Sequence, residues 1–238
     1  MTLLTSSKKV LPDPEEPLDA SFFGPIQSYL SRHAQDHPDR LAISTNHKQY
    51  SYKYVDETSN RIANYLIRDG IKKGDVVAIF AHRSTAIVLA IMGVLKAGAT
   101  FTVIDPAYPS ERQIIYLEVS EPKGFITLQK AGNLMPDVQT YIDEKVRIIS
   151  TITALDPDNL EALDKIPATN PKIEIGPNDI GTLSFTSGST GRPKGVRGRH
   201  ISYTHFYPWM KQEFHFSDHD HFSLLSGIAH DPIQRDSK

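Results

Sequence analysis

Between Val76 and Leu128, short apolar runs alternate with longer segments of helical periodicity, and this alternation limits the fold more than any other feature of the chain. The order is strand Val76 to Phe80, helix Ser84 to Lys96, strand Thr100 to Ile104, helix Glu111 to Val119 and strand Gly124 to Leu128. Apolar strands without polar alternation belong to a sheet covered on both faces, and an intervening helix is the crossover that parallel neighbours require. The expected fold class is α/β, a doubly wound, mostly parallel sheet flanked by helices.

The flanks add detail. Residues 1–20, rich in Pro, Glu, Asp and Lys, read as a flexible lead-in, with ordered structure expected from about Phe22. Ile26, Tyr29, Leu30 and His33 recur at helical spacing up to His37-Pro38. Leu41 to Ser44 and Gln49 to Tyr52 suggest a hairpin, and a second helix is expected from Tyr54 to Arg68, with Gly70 ending it. Signals weaken between Gln129 and Asn178. There Val146 to Ile149 is the expected strand, and Asp156-Pro157, Pro167, Asn170-Pro171 and Gly176-Pro177 punctuate a polar connection expected on the surface. Ile180 to Phe185 and Phe222 to Leu225 read as buried strands, both expected to lack sheet neighbours.

Composition narrows the function. In 238 residues there are 26 Lys and Arg against 28 Asp and Glu, so no basic excess points to nucleic acid. The absence of cysteine removes disulfides, thiolate metal sites and a cysteine nucleophile, which fits a cytoplasmic protein. No apolar run reaches membrane-spanning length, and the polar start lacks a signal-peptide core.

The chemistry concentrates in Leu183-Ser-Phe-Thr-Ser-Gly-Ser-Thr-Gly-Arg-Pro-Lys-Gly-Val196, directly after the apolar strand at Ile180. Gly188, Gly191 and Gly195 allow close backbone approach to a ligand. Backbone N–H groups, the hydroxyls of Thr186, Ser187, Ser189 and Thr190 and the Lys194 ammonium can then converge on phosphate. A Walker A loop does not fit. Counted from Gly188, Pro193 stands where its second glycine belongs and Gly195 where its magnesium-binding hydroxyl belongs. A solvated Ser/Gly linker is the bland alternative, but such linkers do not carry a strand before and Lys-Gly-Val after.

The segment resembles the phosphate loop of the adenylate-forming (AMP-binding) enzymes. Upstream, Val94-Leu-Lys-Ala-Gly-Ala-Thr-Phe-Thr-Val-Ile-Asp-Pro-Ala-Tyr-Pro-Ser-Glu-Arg112 is similar to a second signature of their adenylation domains. There Gly98 suits a helix C′ position and Ser110 an N-cap, so most of these residues serve the fold. Ala229-His-Asp-Pro232, Val103-Ile-Asp-Pro-Ala-Tyr-Pro109 and Ile115-Tyr-Leu-Glu-Val119 narrow the resemblance to the fungal L-2-aminoadipate reductase family, over about Phe22 to Asp236. The resemblance implies ATP and Mg²⁺ at the loop, with Lys194 as the catalytic residue. Thr186, Ser187, Gly188, Ser189, Thr190, Gly191 and Lys194 would contact the ATP phosphates. His230 would flank the nucleotide and acyl sites, and Asp231 would bind the ammonium of a small-molecule substrate, L-2-aminoadipate. It also implies a longer enzyme with a phosphopantetheine carrier domain and an NADPH-dependent reductase domain, whose sites do not occur here. Residues 21–238 are therefore expected to be a partial adenylation domain, the incomplete N-terminal half of the large domain, without turnover by itself. A fragment of a peptide-synthetase adenylation domain and a non-catalytic nucleotide-binding remnant remain open as alternatives.

Two other groupings have simpler meanings. His215, His219 and His221 with Asp218 and Asp220 could ligate zinc or nickel, but solvated polar residues at a turn are the commoner reading, and no metal site is assigned. No Ser/His/Asp arrangement is readable, since Ser187-Gly-Ser189 is not a nucleophile elbow.

Overall fold

The computed structural model describes residues 21–186, 192–204 and 206–224. Helix α1 (Ile26–Asp36) leads into an antiparallel pair, β1 (Leu41–Ser44) and β2 (Gln49–Ser51), and then α2 (Tyr52–Arg68). The doubly wound core follows as β3 (Val76–Phe80), α3 (Thr85–Lys96), β4 (Thr100–Ile104), α4 (Ser110–Ser120) and β5 (Gly124–Leu128). Beyond it come α5 (Pro136–Lys145), β6 (Ser150–Leu155), β7 (Ile180–Thr186), β8 (Lys194–Arg199), α6 (Ile201–Thr204) and α7 (Phe206–Glu213). The six-stranded sheet has the order β6-β5-β3-β4-β7-β8 and is parallel except for β8, which runs antiparallel to β7.

Alternation along the strands splits the interior in two. Val77 and Ile79 of β3, Phe101 and Val103 of β4, and Ile126 and Leu128 of β5 face the layer of α1, α2 and α3. Ala78, Phe80, Ile104, Phe125, Leu183 and Phe185 face the other side, where Tyr116 and Leu117 of α4 and Val138 and Ile142 of α5 close the second core. Strands β3, β4 and β5 are thus buried on both faces, as their continuous apolar character required.

Helix α3 lies between α2 and the sheet and is apolar nearly all round. Gly93 lets α2 approach it, because a Cβ there would lie 2.4 Å from Ile62 Cγ2. The helix ends as expected in a left-handed Gly98, φ 74°, with Gly98 N–H donating to Leu95 O at 3.0 Å and Ala99 N–H to Val94 O at 3.1 Å. Its last residue, Lys96, is a buried cation with 1% of its side chain exposed. The ammonium donates to Asp56 Oδ1 at 2.5 Å and to Asn60 Oδ1 at 2.7 Å. Burial pushes its pKa below the ordinary value, and the Asp56 carboxylate opposes that shift.

Several boundaries differ from expectation. Ser51 caps α2 by accepting from Tyr54 N–H at 3.3 Å, so the helix begins at Tyr52 and the strand before it stops at Ser51. Ser110 is not an N-cap but the first residue of α4. The carbonyl of Pro109 already accepts from Arg112 N–H at 3.0 Å, which moves the cap back one residue. Val146 to Ile149 is not a strand. The paired segment starts at Ser150, where Ser150, Ile152 and Leu155 turn inward, while Ile149 remains 40% exposed. Helix α5 was not expected, although Pro136 at its first turn and Val138 with Ile142 on one face are its signature.

The connection before β7 is also not wholly superficial. Leu163 and Ile166 enter the core, while Asn60 Nδ2 donates to Ala168 O at 2.9 Å and Asn64 Nδ2 to Pro167 O and Thr169 O, both at 2.8 Å. Strand β7 does have sheet neighbours, β4 on one side and β8 on the other. Phe222 to Leu224 form no strand, and Phe222 is 58% exposed. Leu225 and residues 1–20 lie outside the described residues.

The Asp56–Lys96 pair yields a prediction. Asp56→Ala leaves a buried ammonium without its counter-charge and is expected to cost about 3–5 kcal/mol in urea unfolding. Asp56→Leu combined with Lys96→Met should recover most of that loss. A loss below about 1 kcal/mol for Asp56→Ala would show that Lys96 is compensated by its other partners.

Candidate functional site

In an open parallel sheet, ligands bind beyond the carboxyl ends of the strands, where successive crossovers leave toward opposite faces. Here the segment after β3 leads to α3 in one layer, and the segment after β4 leads to α4 in the other. That rule points to the ends of β3 and β4, with β7 paired to β4 through Phe101 and Thr182. Two ordered turns follow those ends. Ala81 N–H donates to Ile104 O at 3.1 Å, which ties the β3 exit to β4. Ala107 N–H donates to Asp105 Oδ1 at 2.9 Å, so the expected Asp105-Pro106 turn is held by its own side chain.

The strands on either side of the hydroxyl- and glycine-rich segment pair antiparallel as a hairpin. Thr186 ends β7, Lys194 begins β8, and the two are register partners. Directly opposed residues of an antiparallel pair project from the same face with Cβ atoms about 4.5–5.5 Å apart. The Thr186 hydroxyl and the Lys194 stem thus start side by side on the face opposite Phe185, and both residues are exposed. The Lys194 ammonium has no ion-pair partner among the described residues.

Behind this pair the hairpin is fixed. Phe185 stacks on Tyr116 of α4 with centroids 3.8 Å apart and an angle of 10°. Arg112 Nε donates to Tyr116 Oη at 3.0 Å, and its guanidinium lies 4.1 Å from the Tyr108 centroid. Before β7, Asp179 accepts from Lys73 Nζ at 2.7 Å and from Gly176 N–H at 2.6 Å. The Lys73 ammonium, with the Gly176 amide, holds the Asp179 carboxyl below its ordinary value.

Of the sequence-predicted residues, the structure places Thr186 and Lys194 together. Ser187, Gly188, Ser189, Thr190 and Gly191 lie outside the described residues, as do His230 and Asp231. Sequence reasoning missed strand β8, Lys194–Arg199, whose two glycines and three cations carry no conventional strand signal. It also missed Arg192, which pairs with Glu118 of α4 at 2.7 Å. His215, His219 and His221 stand in an exposed turn, where Asp218 is engaged by Arg40.

A family model for AMP-binding enzyme matches residues 30–233. The chain belongs to the AMP-binding enzyme family. Within that family it is similar to the L-2-aminoadipate reductase of Schizosaccharomyces pombe, 42% identical over 262 aligned residues, covering 99% of this chain and 18% of that protein. It is also similar to the dimodular nonribosomal peptide synthase of Bacillus subtilis, 31% identical over 211 residues, covering 87% of this chain and 8% of that protein. A solved structure of ATP-bound MatB from Rhodopseudomonas palustris shares the fold, with a TM-score of 0.74 at 23% identity over 87% of this chain and 42% of MatB. The chain spans about a fifth of the length of the L-2-aminoadipate reductases it matches. The α/β expectation and the resemblance to AMP-binding enzymes are both borne out.

The geometry before β7 sets a pH dependence. A carboxyl whose native pKa is lowered contributes stability that is present above its ordinary value of 3.8 and is lost as the pH falls toward the native value. Asp179→Asn is expected to cost about 1 kcal/mol at pH 7, the size of one partly exposed charge-assisted contact. Urea unfolding at pH 7 and pH 3 checks this, and the difference from wild type should narrow at pH 3.

Proposed function

We propose that the hairpin from Thr186 to Lys194 binds the phosphates of ATP, and that the whole protein containing this chain activates L-2-aminoadipate as its acyl-adenylate. The observation that carries the reading is the pairing of Thr186 with Lys194 at the carboxyl end of a parallel sheet, with an unpartnered ammonium among the described residues. The higher identity to L-2-aminoadipate reductase than to the peptide synthase supports this substrate over a proteinogenic amino acid. We further assign residues 21–238 to an AMP-binding adenylation domain.

In this reading the substrate carboxylate, already ionised at neutral pH, attacks the α-phosphorus and pyrophosphate departs. Little proton transfer is needed, so the chain's task is to position ATP and stabilise charge on the leaving group. Thr186 and the loop hydroxyls donate to the β- and γ-phosphates, and Lys194 places a compact cation against them. Mg²⁺ would share that charge, bound through the phosphates with waters and one or two carboxylates, and would supply charge neutralisation to the leaving group. His230 beside the nucleotide and Asp231 on the substrate ammonium complete the proposal. The carrier thioester and its reduction by NADPH to the semialdehyde, a step of lysine biosynthesis, belong in this proposal to other domains of the whole protein.

The test is ATP–pyrophosphate exchange by the whole protein with a panel of amino acids. Exchange is expected to depend on L-2-aminoadipate and to fall about tenfold to a thousandfold in Lys194→Ala, the range for removal of one charge-stabilising donor. Lys194→Arg should recover only part, because a planar guanidinium does not reproduce a compact ammonium. Exchange supported by a proteinogenic amino acid instead would favour a peptide-synthetase activity, and unchanged exchange in Lys194→Ala would remove that residue from the mechanism.

A further inference from the structure

The hairpin is held from below by one turn of one helix. Tyr116, Glu118 and Val119 of α4 each meet a different part of it. The Tyr116 ring stacks on Phe185 at the end of β7, and Tyr116 is itself 1% exposed and pinned by Arg112. Val119 meets the other arm, since a Cβ built on Gly195 would lie 3.3 Å from Val119 Cγ1 and 3.2 Å from Leu183 Cδ1. Glu118 Oε2 accepts from Arg192 Nη2 at 2.7 Å, where the chain leaves the loop for β8. The first contact belongs to the core, and the second borders it at Val119, itself 40% exposed. The third does neither, for the Arg192 and Glu118 side chains are 59% and 51% exposed.

An exposed ion pair contributes little to global stability, so its presence here is poorly accounted for by folding alone. Its placement has a local consequence. Pro193 follows Arg192 with its φ fixed, and Lys194 follows Pro193, so a constraint on Arg192 passes through a rigid residue to the ammonium-bearing position. We propose that Glu118 is a positioning residue for the phosphate hairpin, acting through Arg192 to set where Lys194 enters β8. The inference rests on the phosphate-binding reading of Lys194 for its functional meaning, but its structural part can be read without nucleotide.

The experiment compares Glu118→Gln, Glu118→Arg, Arg192→Glu and the exchanged pair Glu118→Arg/Arg192→Glu in the whole protein, with Lys194→Ala alongside. Two quantities are measured, amide hydrogen exchange of the peptide spanning Lys194–Arg199 and the apparent Kd for Mg·ATP. Glu118→Arg is expected to speed exchange at the start of β8 by about two- to fivefold and to weaken Mg·ATP by a similar factor, with the unfolding midpoint unchanged. Glu118→Gln should have a smaller effect in the same direction. The exchanged pair should restore slow exchange. Nucleotide affinity is not the rescue readout, since Arg192→Glu by itself repels phosphate. Unaltered exchange in Glu118→Arg, or no restoration in the exchanged pair, would overturn the positioning role even if Lys194→Ala loses ATP. Lys194→Ala that binds Mg·ATP as wild type does would overturn the phosphate reading and the functional half of this inference with it.

Discussion

Parallel strands cannot be joined by tight turns, and this constraint shapes the molecule from Val76 onward. Each crossover must choose a face of the sheet, and the helix that makes it must bury an apolar surface there. The chain resolves this with α3 on one side and α4 on the other. Had both gone to the same face, the ends of β3 and β4 would lie under one continuous layer of connections. Because they diverge, the carboxyl ends of β3 and β4 stand where open parallel sheets bind ligands, and β8 folds back antiparallel beside β7. The glycine- and hydroxyl-rich connection is thereby held at both ends by a strand, which a linker is not.

The elements most legible from sequence were those whose identity depends on burial alone. Strands β3, β4 and β5 begin and end where their apolar runs do, because both faces are covered and every residue is under the same pressure. Legibility fell where a boundary depends on a single hydrogen bond or on a distant partner. The Ser51 cap and the shift of the α4 cap to Pro109 are decided by individual carbonyls and hydroxyls that periodicity does not weigh. Val146, Ile148 and Ile149 are β-branched and apolar and suggest a strand around Arg147, yet it is Ser150 that takes up pairing, with Gly124 of β5. In sequence the polar connection carries no sign of partners for its carbonyls, and those partners are Asn60 and Asn64 on a helix more than ninety residues earlier.

The candidate site divides in the same way. Its residue types were apparent because few tasks other than anion binding call for glycines, hydroxyls and one lysine together after a buried strand. What the pattern could not supply is the partnership between Thr186 and Lys194, which comes from β8 pairing with β7. Strand β8 itself, Lys-Gly-Val-Arg-Gly-Arg, carries two glycines and three cations, a composition that gives no conventional strand signal. It is nevertheless well suited to a sheet edge, where charge discourages pairing with another chain.

Helix α4 links these levels. Its inward residues, Tyr116 and Leu117, complete the second core, so the helix cannot move without disturbing the strands beneath it. The same turn carries Glu118 outward to Arg192. A helix already immobilised by burial is an economical base for a loop, because the loop then needs only weak additional contacts to inherit its position. An exposed ion pair made between two mobile segments would order neither of them. Made from a rigid helix to Arg192, it restricts the chain just before β8, and in the proposed reading that carries the rigidity of the core outward to Lys194.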